Sequence, residues 1–333
     1  MTDEYQARLS AQKQQYNVGE EIHDLPPIFH YWSNKYLRPK LEAVFDVSTV
    51  CDFYAKPFLE LSRNNHNSLR FVSIGSGDCT YEVELCKCLL GRNLTNFVVI
   101  CTEVNPRLIS QARERIQQEW IGQWLQVDYF DVNCENLDLP VDGFMAHHSL
   151  HDVVELERLF AMMDHCLLPY GRFLTQDMIG RNGHMRWPES LAFINALWGV
   201  IGDPKKFNHQ FKVQHDDFVN FDCSKEGFEG IRAQDILPLL SSNFSFGGFI
   251  GTGGLIEVFI DRGYGPNYSA GDRQDLEFVE FVAELNDRLI ELGMIKPTIM
   301  FAEMGKKGAF VEPKLYKGIT PNFCIRPVPL QGP

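Results

Sequence analysis

A glycine turn directly after an apolar run of strand length constrains this chain more than any other feature. Residues 71–74 read FVSI, the turn Gly75-Ser76-Gly77 follows, and a helical pattern begins at about residue 80. Glycine lets the backbone turn sharply and pass close to a ligand. A strand, a glycine turn and a helix in this order are typical of the first unit of a nucleotide-binding α/β sheet.

Strand-like and helical segments alternate on both sides of this turn. Helical patterns separate several of the strand-length apolar runs, which predicts a largely parallel sheet with helices on both faces. The strand-like runs lie at 71–74, 97–101, 124–127, 143–146, 172–175, 244–251 and 298–304, and the helical patterns at 80–90, 106–120, 153–167, 233–241 and 273–292. We therefore predict an α/β fold, a Rossmann-like doubly wound sheet of seven strands. Its last strand is antiparallel and inserted between its neighbours.

The chain divides into four segments by pattern. We expect an N-terminal helical cap at 1–62, a cofactor-binding Rossmann-like core at 63–180, a lid or substrate insertion at 181–231, and completion of the core sheet with an inserted helix at 232–333. Long irregular segments of compact proteins are often lids or binding loops. The cap and the insertion are therefore expected to cover the carboxyl ends of the strands.

Composition narrows the classes of partner. The 333 residues carry a net charge of −13, which argues against a sequence-independent grip on nucleic acid. No apolar run approaches the ~18 residues of a membrane helix, and the polar N-terminus does not read as a signal peptide. The nine cysteines lie mostly in apolar runs, and Cys86 and Cys88 form a lone C-x-C without a second pair. We expect a cytoplasmic protein with a small-molecule partner and no membrane partner, and the sequence leaves a homodimer open.

The residues around the glycine turn favour a nucleoside without phosphates over a dinucleotide. The third glycine of the dinucleotide fingerprint is replaced by Thr80, and Asp78 stands where a pyrophosphate would meet the helix start. Glu103 ends the second strand, where a carboxylate accepts hydrogen bonds from ribose hydroxyls. Asp131 follows the third strand and has the chemistry to accept from an adenine amino group.

Five stretches in order resemble the class I S-adenosylmethionine-dependent methyltransferases. They are VSIGSGDC (72–79), TEVNPRLISQARERI (102–116), YFDVNCENL (129–137), FMAHHSLHDVVELERLF (144–160) and CLLPYGRFL (166–174). The resemblance implies S-adenosylmethionine (SAM) as cofactor. The cofactor-binding residues it implies are Gly75, Ser76, Gly77, Glu103, Val104, Asp131, Val132 and His147. The chain departs from the family pattern at Ser73, where an acid is frequent, and at Cys79, where a third glycine stands.

A histidine cluster follows the fourth strand, at His147-His148-Ser149-Leu150-His151-Asp152. Three interpretations stay open. In the first, the histidines stack on the cofactor or cap the next helix. In the second, His148 or His151 is the catalytic general base. In the third, His147, His151 and a distant histidine bind iron or zinc, as in a minority of methyltransferases acting on 2-oxo acids. Because no third ligand is recognisable from the sequence, we assign no metal ligand.

The insertion after the fifth strand supplies the candidate substrate residues Arg181, His184, Arg186 and Trp187. Arginine favours a carboxylate or another anion, and aromatic rings favour a planar or apolar partner. Alternatively, this segment is a surface insertion that packs Trp187 and Phe193 into a side core. From the N-terminal segment, Tyr31 and Arg38 are candidate cofactor contacts. The strand-four loop and the lid also resemble bacterial small-molecule methyltransferases with HSLHH-like and IGRNGHxRWPE-like motifs.

The leading hypothesis is a SAM-dependent methyltransferase with a biosynthetic role that acts on an O, N or C nucleophile of a small molecule. A metal-assisted C-methyltransferase of a 2-oxo acid is one alternative. A dehydrogenase of the NAD type and a non-catalytic nucleoside-binding module are others, since a fold does not fix a function.

Overall fold

The protein has one large mixed sheet in a computed structural model that describes residues 2–18, 24–63 and 67–327. The strands are β1 (Leu69–Ile74), β2 (Phe97–Glu103), β3 (Leu125–Tyr129), β4 (Val141–His147), β5 (Leu167–Met178), β6 (Phe207–Asn208), β7 (Val213–Gln214), β8 (Phe244–Thr252), β9 (Ile299–Lys306) and β10 (Lys314–Leu315). Eight of them form the sheet, in the order β10-β8-β9-β5-β4-β1-β2-β3, and β6 and β7 form a separate two-stranded hairpin.

Helices cover the sheet and extend beyond it. They are α1 (Asp3–Val18), α2 (Pro27–Trp32), α3 (Arg38–Phe45), α4 (Val50–Ser62), α5 (Thr80–Gly91), α6 (Pro106–Gln118), α7 (Leu156–Cys166), α8 (Pro188–Trp198), α9 (Ala233–Asn243), α10 (Glu257–Ile260), α11 (Arg273–Glu291) and α12 (Pro321–Cys324). A π-helical turn, Ser33–Leu37, joins α2 to α3. None of the described helices has the length and apolar character needed to cross a membrane.

The sheet confirms the predicted Rossmann-like architecture and corrects its strand number. Strands β3, β2, β1, β4 and β5 pair in parallel, whereas β9 is antiparallel to both of its neighbours, β5 and β8. The reversed strand is therefore inserted next to the end of the sheet, as the sequence predicts. The prediction of seven strands was wrong, because the two-residue β10 pairs with β8 at the edge. Two residues are too few to produce a periodic apolar pattern.

Aromatic side chains fill both faces of the sheet. On one face, Phe58 of α4 stacks on Phe71 of β1 with ring centroids 3.5 Å apart. On the other face, Phe244 lies 5.5 Å from Phe173 of β5 and 6.1 Å from Phe160 of α7. All five rings are buried. Because both faces are apolar, polar chemistry is left to the strand ends, where a doubly wound sheet binds its ligands.

A buried tyrosine connects the ends of β4 and β5, next to those strand ends. The Tyr54 hydroxyl donates to the carbonyl of Ala146 at 2.8 Å and accepts from the Gln176 N–H at 2.9 Å. Its side chain is fully buried, so no water replaces either bond. Tyr54 thus sets the spacing between the two strands whose following loops carry the histidines.

Replacing Tyr54 with phenylalanine removes both hydrogen bonds and leaves a buried N–H and a buried carbonyl without that partner. We expect Tyr54→Phe to lower the free energy of unfolding by ~1–3 kcal/mol, measured by urea titration. Tyr129→Phe is the control, because the Tyr129 side chain is 50% exposed, and it should change stability by less than ~0.5 kcal/mol. Equal effects of the two substitutions would contradict this role of Tyr54.

Candidate active site

The glycine turn after β1 has a left-handed backbone and packs against the loop after β4. The φ angles of Gly75 and Gly77 are +64° and +58°. A Cβ on Gly75 would lie 2.8 Å from the Cβ of Ser149, whereas one on Gly77 would meet no atom within 4 Å. Gly75 is therefore needed for a close approach of two loops, and Gly77 faces open space. The turn touches the histidine loop through Gly75 and leaves open space at Gly77.

Glu103 lies beside this turn and holds it through backbone hydrogen bonds. Its carboxylate accepts from the N–H groups of Gly77 at 3.0 Å, Val104 at 2.7 Å and Asn105 at 2.8 Å. Burial raises the pKa of Glu103, although these three donors oppose the change. A carboxylate has about four acceptor positions. Three are in use, so one remains for a ligand hydroxyl.

Asp131 is buried after β3 and receives a hydrogen bond that the sequence did not predict. The Tyr5 hydroxyl on α1 lies 2.9 and 2.8 Å from its two carboxylate oxygens. The Asn133 N–H also donates to Asp131. Burial raises the pKa of Tyr5 well above its usual range, and Asp131 adds to the effect, so the phenol stays a donor. Helix α1 therefore lies over the strand ends and engages the carboxylate expected to bind adenine.

The two departures from the family pattern have structural explanations. Ser73 stands in β1 where the family often has an acid, and its hydroxyl donates to the buried carboxylate of Glu82 at 2.7 Å. Glu82 lies on α5, so the acid comes from that helix instead of from the strand. Cys79 is buried with φ of +58° and forms the N-cap of α5. Asp78 accepts from the Thr80 N–H and pairs with Arg115 at 2.7 Å, which places an acid at the start of α5.

The carboxylate of Asp177, near the end of β5, organises the histidine loop. One oxygen accepts from the N–H groups of Ser149 at 3.0 Å and Leu150 at 2.8 Å, and the other lies 2.6 Å from Nδ1 of His151. The Met178 N–H donates to the second oxygen as well. Burial would raise the pKa of Asp177, but the charge of His151 and the hydrogen bonds hold it below the ordinary value. This carboxylate therefore fixes both the loop backbone and the orientation of the His151 ring.

His148 and His147 occupy different environments. His148 is exposed with φ of +50°, and its Nε2 lies 2.9 Å from the side-chain amide of Gln176. The low-dielectric surroundings of the ring and the nearby His151 and His184 lower the pKa of His148, which keeps its imidazole uncharged at pH 7. His147 instead stacks on Tyr81, with ring centroids 4.3 Å apart, and lies 3.4 Å from the Tyr54 hydroxyl.

His151, His184 and Glu229 come together although they are far apart in the chain. One ligand atom from each lies within 4.8 Å of the other two. Nε2 of His184 is 2.7 Å from Oε1 of Glu229, and Nε2 of His151 is 3.5 Å from the same oxygen. Burial opposes a charge on Glu229, yet the hydrogen bonds from the two histidines hold the pKa of Glu229 well below its usual range.

Two adjoining loops build this cluster. The Gly183 N–H donates to the Gly230 carbonyl at 2.8 Å, and a Cβ on Gly183 would lie 2.0 Å from Asp222. A Cβ on Gly230 would lie 3.1 Å from His184. His184 itself has φ of +54°, a left-handed conformation that costs a non-glycine residue about 1–3 kcal/mol and is concentrated at functional sites. Its Nδ1 is buried without a hydrogen-bond partner among the described residues.

The other predicted substrate residues lie near the cluster to different degrees. The Arg186 guanidinium lies 3.5 Å from the buried Glu257, and its backbone N–H donates to Asn220. Trp187 is buried and its ring packs under the Arg326 guanidinium at 4.6 Å, as in the alternative interpretation of a side core. Arg181 lies close enough to Asp222 to lower the pKa of that carboxyl, after the larger effect of the Ser224 hydrogen bonds.

The two cofactor contacts expected from the N-terminal segment have partners elsewhere. The Tyr31 hydroxyl hydrogen-bonds to Glu280 on α11. Arg38 is exposed and pairs with Glu42 one turn further along α3, at 2.8 Å. None of these partners belongs to the glycine turn or to the ends of β1, β2 and β3. Among the described residues, Tyr31 and Arg38 therefore have no hydrogen bond to Gly75, Glu103 or Asp131.

Sequence reasoning missed four residues that complete the site. Asp177 reads as an ordinary polar residue at a strand end, and Asp152 reads as the first acid of a helix. Glu229 lies 45 residues beyond His184, so no local motif joins the two. Tyr5 lies in a polar segment whose only signal is an aromatic among charged residues. Each of these residues acquires its partner through long-range packing.

The chain is similar to several solved structures, whereas no protein-family model and no curated protein matches it. It is 11% identical to the StiE O-MT, with 77% of this chain and 74% of that chain covered and a TM-score of 0.44. Geranyl diphosphate methyltransferase in complex with GPP and sinefungin is 11% identical over 76% of this chain and 77% of that chain, with a TM-score of 0.42. The cyclase SpnF is 13% identical over 75% and 80%, with a TM-score of 0.41. Similarities of this size carry no argument about activity, and the Rossmann-like fold rests on the strand order of the sheet itself.

The Asp177–His151 contact should dominate the stability of the loop after β4. Asp177→Asn keeps the shape of the side chain but removes the charge that faces a buried imidazolium. Breaking a buried pair costs about 3–5 kcal/mol, and we expect a loss of that size in urea unfolding of metal-free protein. Asp142→Asn is the matched control, because Asp142 is also buried but accepts from the backbone of Arg70 rather than from a histidine. A loss below ~1 kcal/mol for Asp177→Asn would contradict the organising role.

Proposed function

We propose that the protein is a SAM-dependent methyltransferase that acts on a small-molecule acceptor. One observation carries this proposal. Glu103 and Asp131 stand at the ends of β2 and β3, beside a left-handed Gly75–Gly77 turn that faces open space. In a doubly wound sheet, ligands bind at this edge, where the strand order reverses. The set offers acceptors for a ribose and an adenine, and Asp78 at the start of α5 disfavours a pyrophosphate.

The chain's own residues give each part of the cofactor a partner. The remaining acceptor position of Glu103 suits a ribose hydroxyl, and the Gly75–Gly77 turn has space for the methionine part beside Ser76. Asp131 and the Val132 N–H suit the adenine edge. Because a carboxylate has about four acceptor positions, an adenine amino group shares Asp131 with Tyr5 or displaces it. Helix α1 then covers the bound nucleoside.

Bound SAM supplies a methyl group whose bond to sulfur breaks, with the electron pair going to sulfur, as the acceptor's nucleophilic atom bonds to the carbon. The protein's task is to hold the acceptor in line with that bond, since proximity and alignment supply much of the rate. His148 is proposed for the second task, taking the acceptor's proton, because it is exposed on the loop whose Ser149 packs on Gly75 of the cofactor turn. The amide nitrogen of Gln176 lies 2.9 Å from Nε2 of this ring, so the Gln176 side chain must turn its oxygen to the ring when Nε2 takes the proton.

The segment 181–231 is proposed to form the acceptor pocket. It brings His184 and Glu229 to the histidine loop, which in turn touches the glycine turn through Ser149. Arg181 and Arg186 supply positive charge on the same side. A metal-assisted C-methyltransferase of a 2-oxo acid is the second candidate. The grouping of His151, His184 and Glu229 favours it, because these are side chains that bind iron or zinc.

Removing the Glu103 carboxylate should weaken SAM binding. We expect Glu103→Ala to lose ~1–3 kcal/mol of binding free energy, a ~5–150-fold higher dissociation constant by calorimetry. Glu119→Ala serves as the control, because Glu119 is exposed and pairs with Lys87 at 2.6 Å, away from the strand ends. No heat with SAM or S-adenosylhomocysteine from the wild type, but binding of NAD, would end this proposal.

Replacing His148 with asparagine should affect turnover rather than cofactor binding. His148→Asn retains hydrogen bonding but lacks a base, so we expect the release of S-adenosylhomocysteine with the acceptor found by screening to fall by ~10²–10⁴. The dissociation constant for SAM should stay within about threefold. His165→Asn, at an exposed position on α7, is the control. Turnover within about threefold of wild type would assign His148 a structural role.

A further inference from the structure

We infer that His151, His184 and Glu229 form a binding site for one divalent transition-metal ion, iron(II) or zinc, on the acceptor side of the cleft. Two imidazoles and one carboxylate are a set that binds these ions and leaves coordination positions open. The role given below to the ion rests on the proposed function. The site itself rests only on the geometry of the three side chains.

Two of the three separations between ligand atoms lie on either side of the value that a metal requires, and all three are within 4.8 Å. With metal–ligand bonds of about 2.0–2.2 Å, adjacent ligand atoms lie about 3.0–3.4 Å apart. The Glu229 oxygen is 2.7 Å from Nε2 of His184 and 3.5 Å from Nε2 of His151. Small rotations of the three side chains would equalise these distances. Metal binding would move the proton of His184 from Nε2 to Nδ1 and release the Nε2 proton of His151 to solvent.

The surroundings of His151 match those of a metal-binding histidine. Its Nδ1 is held at 2.6 Å by Asp177, which leaves Nε2 directed at Glu229. A ligating histidine almost always donates its other ring N–H to a carboxylate or carbonyl, and this partner fixes the tautomer and raises the basicity of the ligand. Asp177 is in turn held by backbone N–H groups, so His151 is anchored before any ion binds.

The local charge also favours a cation. Three carboxylates, those of Asp152, Asp177 and Glu229, lie within 3.6 Å of His151, and Glu229 also contacts His184. Asp152 is held by the Gln12 side-chain amide at 3.0 Å and the Gly230 N–H at 3.4 Å, and it lies 3.6 Å from Nε2 of His151. It is therefore placed to neutralise the ion or to accept from a bound water. Gln12 extends the network to α1, which also covers Asp131.

The position of the site suggests what the ion does. His151 lies two residues from Ser149, which packs on Gly75 of the cofactor turn. An ion held there would lie beside the loop that carries the exposed His148. An oxygen of the acceptor would bind the ion next to the methyl group, and the positive charge would make that oxygen or its neighbouring carbon easier to deprotonate. The acceptor class that fits is therefore a small molecule with a carbonyl, carboxylate or hydroxyl oxygen beside its nucleophilic atom.

Metal binding can be measured without any acceptor. The full-length protein is stripped with EDTA, and Zn(II), Co(II) and, under anaerobic conditions, Fe(II) are titrated in by calorimetry. The visible spectrum of Co(II) reports on its geometry. We expect about one ion per chain and, for Glu229→Gln, an affinity lower by at least ~100-fold. His184→Asn should show the same loss, whereas the controls Glu226→Gln and His165→Asn should bind like the wild type. Plasma mass spectrometry of the protein as purified measures its zinc and iron content and so distinguishes the two ions.

The results separate the metal site from the proposed function. The site is overturned if the wild type and Glu229→Gln bind Co(II) within about threefold of each other, or if His184→Asn, with an unchanged melting temperature, retains full affinity. If one of these two results is found and the metal-free protein still binds SAM, the methyltransferase proposal stands without a metal. Metal binding that both substitutions abolish, with no binding of SAM, would support the site and remove the proposed function.

Discussion

The carboxylate of Asp177 is the contact on which the candidate site depends. It is fully buried at the end of β5, yet four donors surround it: the N–H groups of Ser149, Leu150 and Met178, and Nδ1 of His151. A buried charge is tolerated only when it is paired and hydrogen-bonded. Because three of these donors come from the loop after β4, one side chain connects that loop to β5 and gives His151 a single orientation. The Glu229 carboxylate contacts the His151 ring, and His184 in turn contacts Glu229.

Much of the fold could be predicted because it depends on local patterns. The apolar runs at 71–74, 97–101 and 143–146 lie inside β1, β2 and β4, and the predicted helix at 273–292 corresponds to α11. The reversed β9 was also predictable, since a single helix between two late strands leaves room for an antiparallel insertion. The edge strand β10 was missed, because two residues have no periodicity and their pairing with β8 depends on tertiary structure.

The candidate site was predictable only where its residues follow strands. Gly75, Glu103, Asp131 and the histidine loop lie directly after strands, and the sheet brings strand ends together. His184 was identified as a substrate residue, but its partner Glu229 lies in a loop without a motif, and only packing through Gly183 and Gly230 joins the two loops. For the same reason Tyr5 was missed: its contact with Asp131 spans 126 positions in the sequence. Conversely, Tyr31 and Trp187 were predicted to contact the cofactor and the substrate because they are aromatic. In the structure, Tyr31 hydrogen-bonds to Glu280 and Trp187 packs against Arg326.

A crystal structure with S-adenosylhomocysteine and Co(II) tests the central claim most directly, because it locates the nucleoside and the ion together. The account predicts the ribose at Glu103, the adenine beside Asp131 and the sulfur above the Gly75–Gly77 turn. It also predicts an anomalous cobalt peak bonded to His151, His184 and Glu229. A nucleoside bound away from Glu103 and Asp131 would contradict the cofactor assignment, and cobalt found only on surface side chains would contradict the metal site.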